Sequence, residues 1–248
     1  DFTVHTYGVL LAVGFLLAVF LARDEGRRAG IDPDVMLDMS FYILLAAILG
    51  SRLFYVLTHW PEFSENPIDV VKFWRGGLVF YGGLIFAFLV GVGYIRKYRL
   101  NLPKMVDVVA PCIALGQALG RLGCFSAGCC YGKPTTAFWA VTFRDPDSLA
   151  PLRLPLHPTQ LYESAATFGI FLALISMRRW ERFQGRLLWY YLLFYSTARF
   201  IIEFFRGDPR GWAIPGVLST AQATGIPLAL VALFMILRKR PAASRPPS

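Results

Sequence analysis

The stretch LGRLGCFSAGCCYG, residues 119–132, follows directly on a long apolar segment, and the rest of the chain is best interpreted around it. It combines one arginine, Arg121, with four glycines and three cysteines. Glycines at this density favour close approach of backbones or unusual φ/ψ angles rather than helix stability. An arginine at the end of an apolar span is costly unless an anionic group meets it. The pattern indicates a functional segment that its flanking sequence holds at a membrane surface.

The composition indicates a polytopic membrane protein. Of the 248 residues, 56% are hydrophobic and 17% are charged, whereas soluble domains carry roughly 25% charged residues. The net charge of +9 is distributed over short loops between apolar runs rather than gathered in one patch. This distribution argues against a nucleic-acid partner.

Seven apolar segments predict an all-α polytopic fold with seven transmembrane helices, because each approaches the roughly 20 residues that a helix needs to cross hydrocarbon. The segments lie near residues 5–22, 35–58, 78–98, 105–120, 161–177, 187–205 and 216–237. We expect one integral membrane domain over residues 1–248. The longest loop, residues 121–160, predicts a small external cap, in which residues 137–144 are β-like in composition. Residues 238–248 predict a cytoplasmic tail.

The loop charges predict the orientation of the chain. Fifteen of the 25 Lys and Arg residues lie in loops on one side of the predicted spans, and seven lie in loops on the other side. The positive-inside bias makes the first side cytoplasmic, with the N-terminus outside and the C-terminus inside. The remaining three, Arg52, Arg121 and Arg199, fall inside or at the end of apolar segments.

The four cysteines do not form a zinc pattern. The arrangement Cys124-x4-Cys129-Cys130 lacks a second spaced pair and a histidine close in sequence, both of which are usual in zinc sites. We therefore predict no metal site. A disulfide would form if the loop faces an oxidising compartment, and small packing side chains are the alternative that the sequence favours.

Charged residues within the apolar segments allow two interpretations. Arg199 and Glu203 lie four residues apart and share a helix face, and Tyr195 lies one turn earlier on the same stripe. The first interpretation is a self-neutralised ion pair that fixes helix packing. By contrast, Arg52 and Arg121 have no carboxylate at helical spacing within their own segments.

The second interpretation is an anionic ligand. Glu163 and Asp107, nearer the segment ends, are candidate protein partners for the arginines. An excess of cations in hydrocarbon nevertheless requires an anion, and the planar fork of an arginine suits the phosphate of a lipid. This interpretation predicts an anionic phospholipid as ligand and leaves its chemistry open.

A series of motifs gives the sequence a resemblance to the bacterial prolipoprotein diacylglyceryl transferases over essentially its whole length. The motifs, in the order of that family, are His5-x-Tyr7-Gly8, Gly50-Ser51-Arg52, Phe80-Tyr81-Gly82-Gly83, Gly120-Arg121-x-Gly123, His157-Pro158-Thr159-Gln160-x-Tyr162-Glu163 and the run RFIIEFFR from Arg199 to Arg206. The last two are long and specific.

The resemblance implies a reaction. A diacylglyceryl group moves from phosphatidylglycerol to the thiol of the lipobox cysteine in a prolipoprotein signal peptide, and glycerol phosphate leaves. No cofactor or metal is implied, and the implied location is the bacterial inner membrane. The sulfur must attack as a thiolate, and the departing phosphate must be stabilised. We further expect contacts with other membrane lipids and a monomeric protein.

The resemblance also assigns residues. It implies that Arg121 binds phosphatidylglycerol, and Arg199, Glu203 and Tyr7 match residues needed for activity. Our hypothesis is that Arg121 and Arg199 neutralise the phosphate while Glu203 orients Arg199. Tyr81 is also predicted to take part in catalysis. The further residues predicted to contact phosphatidylglycerol are Arg52, Tyr195, Gly82, Gly83, His157 and Gln160.

Three positions depart from the pattern of the family. Tyr81 stands where many members carry a histidine that is a proposed general base, Cys124 replaces the usual asparagine, and Cys129 replaces the usual glutamate. An unperturbed tyrosine, with a pKa of about 10, is a poor base at neutral pH. Three explanations stay open: the histidine is not the obligatory base, Tyr81 replaces it with a pKa lowered by arginines, or the chain has altered or lost activity.

Two rival functions stay open, and the cysteines at positions 124 and 129 motivate the first of them. The first is a related membrane transferase with a different acceptor. The second is a phospholipid-binding protein without enzymatic activity. A transporter is disfavoured, because the sequence shows no internal repeat of the kind that transporter folds usually contain.

Overall fold

The computed structural model describes residues 6–72, 76–178, 185–209, 211–215 and 217–238, without the side chains of Glu65 and Trp212. His5 of the first motif and nearly all of the predicted tail 238–248 lie outside the described residues. Contacts between Cα atoms divide the chain into two compact units, Ala22–Met105 on the one hand and Asp1–Leu21 with Val106–Ser248 on the other. Each unit is described by itself.

Each of the seven predicted spans corresponds to a long helix in the described part of the chain. With the short helix α3 included, the helices are α1 (Thr6–Arg28), α2 (Pro33–Thr58), α3 (Trp60–Glu65), α4 (Phe80–Lys97), α5 (Leu102–Ser126), α6 (Thr159–Met177), α7 (Arg186–Glu203) and α8 (Thr220–Leu237). Six of them, all except α3 and α7, are long and apolar enough to cross a bilayer. The α-helical polytopic fold is confirmed, and the count of seven spans stays a prediction because α7, at 18 residues, contains three charged residues, Arg186, Arg199 and Glu203.

Helix α5 is longer than predicted. It runs to Ser126, so residues 121–126 are helical, and the prediction that they belong to the loop is wrong. The physical reason is close packing: a Cβ on Gly123 would lie 3.2 Å from a ring carbon of Tyr7, and the bare backbone lets α5 continue alongside α1. The left-handed Gly128, with φ of 69°, follows the end of α5 and is typical of a helix C-terminus.

In the unit Ala22–Met105, helices α2 and α4 pack through glycines that have no room for a side chain. A Cβ on Gly50 would lie 2.6 Å from the backbone oxygen of Gly82, and a Cβ on Gly82 would lie 2.6 Å from Cβ of Phe54. A Cβ on Gly83 would lie 2.9 Å from the backbone oxygen of Ala47. Small residues allow this close approach of helices in a bilayer.

The other unit has its core where α5, α6 and α7 meet. The buried residues of this core are Ala110, Ala114, Ile170, Leu174, Leu187 and Tyr191. Asp107 on α5 fixes the start of α7, because its carboxylate accepts hydrogen bonds from the backbone N–H groups of Gly185 (2.7 Å) and Leu187 (2.8 Å). A carboxylate at a helix N-terminus satisfies orphan donors and suits the helix dipole.

Two short antiparallel hairpins complete this unit. Strand β1 (Val141–Thr142) pairs with β2 (Pro155–Leu156), and β3 (Trp212–Ile214) pairs with β4 (Leu218–Ser219). Strand β1 falls within the stretch 137–144 that was β-like in composition. Ser219 also begins α8 with a capping box, in which its side chain and that of Gln222 each bind the other's backbone N–H group.

Candidate functional site

Glu163 on α6 is the point at which three arginine side chains meet. Its side chain is 2% exposed, and its Oε2 lies 2.5 Å from Nε of Arg121. Its Oε1 lies 3.2 Å from Nη1 of Arg206 and 3.4 Å from Nη1 of Arg199. Helix α5, helix α7 and the segment after α7 therefore each direct a guanidinium group at one buried carboxylate.

Two further carboxylates complete this group. Arg199 pairs with Glu203 one turn later on α7, and Arg206 donates from Nε and Nη2 to the two oxygens of Asp208, each at 2.9 Å. We call the six residues Arg121, Arg199, Arg206, Glu163, Glu203 and Asp208 the arginine centre. It contains three arginines and three carboxylates. The prediction of an excess of buried cations is therefore wrong for this part of the chain. Glu163 supplies the missing partner.

The backbone places Arg206 in the centre. Lys133 donates its N–H to the carbonyl of Phe205 at 2.8 Å, and Gly207 donates to the carbonyl of Tyr131 at 3.1 Å. These bonds hold the segment after α7 against the segment after the cysteines. A Cβ on Gly132 would lie 2.8 Å from the carbonyl oxygen of Phe205, so this close pairing requires glycine.

Arg199 is paired by charge but lacks well-directed hydrogen bonds. Its side chain is 10% exposed and its Nη1 lies against carboxylate oxygens of Glu163 and Glu203, whereas its Nη2 has no hydrogen-bond partner within the described ranges. Buried donors of this kind are costly unless an acceptor meets them. Arg121 is more open, with 23% of its side chain exposed, and its contact with Glu163 is made through Nε.

Two tyrosines border Arg121. Tyr7 lies against Gly123 and interacts electrostatically with Arg121 and with the three neighbouring thiols. Tyr195 interacts with Arg121 as well and stacks on Tyr191, with ring centroids 5.8 Å apart. The structure thus brings three of the predicted site residues, Tyr7, Arg121 and Tyr195, together.

The start of α6 supplies two more predicted residues. Gln160 is buried and donates from Nε2 to the carbonyl of Cys129 at 2.7 Å. His157 Nδ1 lies 3.0 Å from the hydroxyl of Tyr162, which accepts a 2.7 Å hydrogen bond from the indole of Trp139. His157, Tyr162 and Trp139 line an apolar groove of about 460 Å³, which Phe205 also lines.

The three cysteines of the opening stretch converge. The Sγ atoms of Cys124, Cys129 and Cys130 all lie within 4.8 Å of one another, and no disulfide joins the four cysteines, all of which are described. Hydrogen bonds from Cys124 and Cys129 lower the pKa of the Cys130 thiol, and the Arg206 guanidinium lowers it further, against the opposing effect of burial. These residues could hold a metal ion, which the sequence did not indicate.

Arg52, in the unit Ala22–Met105, binds a loop of its own unit. Its Nε donates to the carbonyl of Val70 at 2.8 Å and its Nη2 donates to that of Asp69 at 2.5 Å. Its Nη1 donates to the carbonyls of Gly76 (2.8 Å) and Gly77 (3.1 Å). Most of its N–H groups are therefore engaged by backbone, which favours an anchoring role over the predicted lipid contact.

The motif at the start of α4 lies in the same unit. Tyr81 is 70% exposed, and its ring meets the edge of Phe80. Gly82 and Gly83 are buried against α2, as described above. The structure gives the glycines a packing role, and their predicted contact with phosphatidylglycerol stays a prediction, as does catalysis by Tyr81.

Sequence reasoning did not assign Arg206 or Asp208 to the site. Arg206 was counted among the loop arginines, although it follows Arg199 by seven residues and Glu203 by three. That spacing repeats on one face of a helix and was the signal available. Asp208 lies beyond the helix, where periodicity carries no information.

The fold and the arginine centre define a polytopic α-helical membrane protein with a buried charged site of three arginines and three carboxylates. The sequence model of the prolipoprotein diacylglyceryl transferase family matches residues 1–238. The chain belongs to this family.

Curated relatives agree with this assignment. A Clostridium tetani protein named phosphatidylglycerol–prolipoprotein diacylglyceryl transferase is 35% identical over 232 residues, which cover 94% of this chain and 92% of the relative. A Clostridium perfringens protein of the same name, numbered 2, is 34% identical over 223 residues, which cover 90% of this chain and 86% of the relative. A Bacillus mycoides protein of that name is 34% identical over 243 residues, which cover 96% of this chain and 89% of the relative.

Proposed function

We propose that this chain transfers the diacylglyceryl group of phosphatidylglycerol to the thiol of a lipobox cysteine in a prolipoprotein. The product is a thioether, and glycerol phosphate is released, as the first step of lipoprotein maturation. The family match over residues 1–238 and the names of the relatives support this function. The observation that carries it structurally is the convergence of Arg121, Arg199 and Arg206 on Glu163.

The proposed reaction is a displacement at carbon. The substrate thiolate attacks the glyceryl carbon that carries the phosphate ester, a C–S bond forms, and the C–O bond breaks with its electron pair on the phosphate oxygen. The thiol proton passes to a nearby base or to the phosphate itself. Because charge develops on the departing phosphate, preorganised cations are the main electrostatic aid that the protein supplies. The step needs no cofactor.

Arg121 and Arg199 are the proposed phosphate-binding groups. The contact of Glu163 with Nε of Arg121 fixes the plane of that guanidinium, and its two Nη groups then face a phosphate as a fork. The buried Nη2 of Arg199, without a hydrogen-bond partner in the described chain, suits a phosphate oxygen, whereas its Nη1 lies against Glu163 and Glu203. Glu203, one turn from Arg199, orients it.

The structure supports the proposed roles of some of the other predicted site residues, and the roles of the rest depend on the family resemblance alone. Tyr7 and Tyr195 border Arg121 and are proposed to contact the headgroup. His157 and Gln160 are proposed to position the first turn of α6, and His157 lines the apolar groove. Contacts of Arg52, Gly82 and Gly83 with lipid, and a catalytic role for Tyr81, rest on the family resemblance.

Placement in the membrane is also proposed. Seven spans in one membrane domain follow from the apolar segments. An external N-terminus and a cytoplasmic C-terminus follow from the loop charges, and the bacterial inner membrane follows from the resemblance. Signal peptides with a lipobox cysteine and other membrane lipids are the proposed partners, and we propose a monomer.

The proposal is tested with purified protein in vesicles that contain phosphatidylglycerol, together with a synthetic lipobox peptide. We expect mass spectrometry to find a peptide that has gained one diacylglyceryl group. Vesicles of phosphatidylcholine and a peptide with serine for the lipobox cysteine are the matched controls, and neither should give product. A chain that binds phosphatidylglycerol but modifies no lipobox peptide contradicts the proposal.

Tyr81→Phe separates the explanations for the missing histidine. A general base contributes about 10²–10⁴-fold to a rate, so transfer should fall by at least roughly 100-fold if Tyr81 is the base. Transfer at the parent rate removes Tyr81 from that role and leaves another nearby base or the substrate phosphate as the proton acceptor.

Complementation distinguishes an enzyme from a phospholipid-binding scaffold. The chain is expressed in a bacterial strain depleted of its own transferase, with Arg121→Ala as the matched control. We expect the parent chain to restore growth and lipoprotein maturation. Lipid binding without rescue would favour a scaffold.

A further inference from the structure

We propose that Cys124, Cys129 and Cys130 form a three-thiolate site for a thiophilic metal ion. Their Sγ atoms already lie within 4.8 Å of one another. A metal with bonds of about 2.3 Å to three sulfurs holds those sulfurs roughly 3.8–4.0 Å apart. The thiols therefore need to move by less than about 1 Å, whereas a disulfide needs the two sulfurs within about 2.05 Å.

The backbone that carries the thiols is fixed on both sides. Cys124 belongs to the last turns of α5, and Cys129 and Cys130 follow the left-handed Gly128. The carbonyl of Cys129 accepts from Gln160 at 2.7 Å, and that of Cys130 accepts from the Thr159 hydroxyl at 2.7 Å. A donor set held on rigid backbone requires little reorganisation when a metal binds.

Conformation supports the same site. Cys130 has φ of 62°, a left-handed conformation that is uncommon for a residue other than glycine and occurs at ligand sites. This conformation places the side chains of two consecutive cysteines in one cluster with Cys124. The cost of the conformation is offset if all three sulfurs are used together.

The donor set selects the ion. Within the described residues the cluster contains sulfur ligands alone, and thiolates favour Cu(I) and Zn(II) over the hard cations Mg²⁺ and Ca²⁺. Binding releases the three thiol protons and leaves a complex of net negative charge for either ion. Arg121 and Arg206 interact electrostatically with this cluster and would balance that charge.

The expected role is positional. Arg121 precedes Cys124 by three residues, and Cys130 lies beside Arg206. A metal would therefore link the end of α5, which carries Arg121, to the segment that packs beside Arg206. The site requires no metal in the transfer step. Its test is accordingly independent of whether the proposed transferase activity is found.

The experiment titrates Cd²⁺ into the reduced full-length chain in detergent micelles and follows the ultraviolet thiolate-to-metal charge-transfer band. We expect one Cd²⁺ per chain with three thiolates. Loss of a second-shell group costs 10–100-fold in metal affinity, so Cys129→Ser should weaken binding by at least about 100-fold. Cys112→Ser, in which the buried thiol that donates to Val108 is replaced, should bind as the parent does.

Zn²⁺ and Cu⁺ are then used to displace Cd²⁺, and the ion that does so at the lower free concentration is the preferred one. Alkylation mapped by mass spectrometry serves as a check that requires no variant: bound Cd²⁺ should protect all three thiols. An absent charge-transfer band, displacement by neither ion, or equal binding by Cys129→Ser overturns the proposal. A disulfide within the trio in protein kept free of reductant, with no metal taken up after reduction, overturns it as well.

Discussion

Replacing Glu163 with glutamine should destabilise the protein strongly, because one buried carboxylate serves three arginines. The contact distances are 2.5, 3.2 and 3.4 Å, and the carboxylate side chain is 2% exposed. The substitution keeps the volume and one acceptor oxygen but leaves the arginine centre with one uncompensated positive charge. Glu203 and Asp208 each serve one of the arginines and cannot replace it.

The size of the effect follows from the burial. Removing one partner of a buried ion pair costs about 3–5 kcal/mol, and we take about 3 kcal/mol because glutamine still accepts one hydrogen bond. At about 2–4 °C per kcal/mol for a chain of this size, the apparent melting temperature of Glu163→Gln should fall by roughly 6–12 °C.

The assay is thermal unfolding of detergent-solubilised protein, followed by fluorescence-detected size exclusion. Asp24→Asn is the matched control, because Asp24 is an exposed acid on α1 and surface substitutions usually change stability by no more than about 0.5 kcal/mol. If Glu163→Gln melts within the range of this control, the three arginines do not depend on Glu163, and the description of the arginine centre is refuted.

Three further outcomes follow from the fold. Arg52→Lys should release residues 69–70 and 76–77, because a lysine lacks the planar guanidinium that donates to four backbone carbonyls there; hydrogen exchange at these residues should rise, and unchanged protection would contradict the anchoring role. Gly82→Ala should destabilise the protein by about 1–3 kcal/mol, because its Cβ meets Phe54 and α2 backbone, whereas Gly93→Ala on the same helix has no atom within 4 Å and should be neutral or stabilising in the same melting assay. Ser219→Ala should cost about 1 kcal/mol by removing the capping box of α8, and an unchanged melting temperature would show that the box contributes nothing.

The long helices were predictable from sequence because apolar runs of about 20 residues have few alternatives in a bilayer. The end of α5 was not, since Gly120 and Gly123 carry low helix propensity and their contribution depends on close packing against α1. Composition cannot show that the space left by a glycine is filled by a neighbouring helix. The same applies to Gly82 and Gly83, which the motif placed at the lipid and the structure places against α2.

Most residues of the site could be predicted from the sequence, but the contacts between them could not. Arg121, Arg199 and Glu203 were identified as charged residues in apolar sequence, and Glu163 was a candidate partner. That Glu163 joins three arginines is a property of tertiary packing, because its contacts lie 36 to 43 residues away along the chain. The convergence of the three thiols likewise depends on the turn at Gly128 and on the α6 contacts, which no spacing rule contains.

The most direct test of the central claim is the rate of diacylglyceryl transfer by Arg121→Ala in vesicles of phosphatidylglycerol. Arg144→Ala, at an exposed loop arginine, is the matched control and should transfer at the parent rate. Because removal of one preorganised donor to a developing negative charge costs about 10²–10³ in rate, Arg121→Ala should be slower by at least roughly 100-fold while remaining folded. Transfer by Arg121→Ala within about twofold of the parent, where an essential phosphate-binding group would give a far larger loss, would contradict the claim that this guanidinium binds the lipid phosphate.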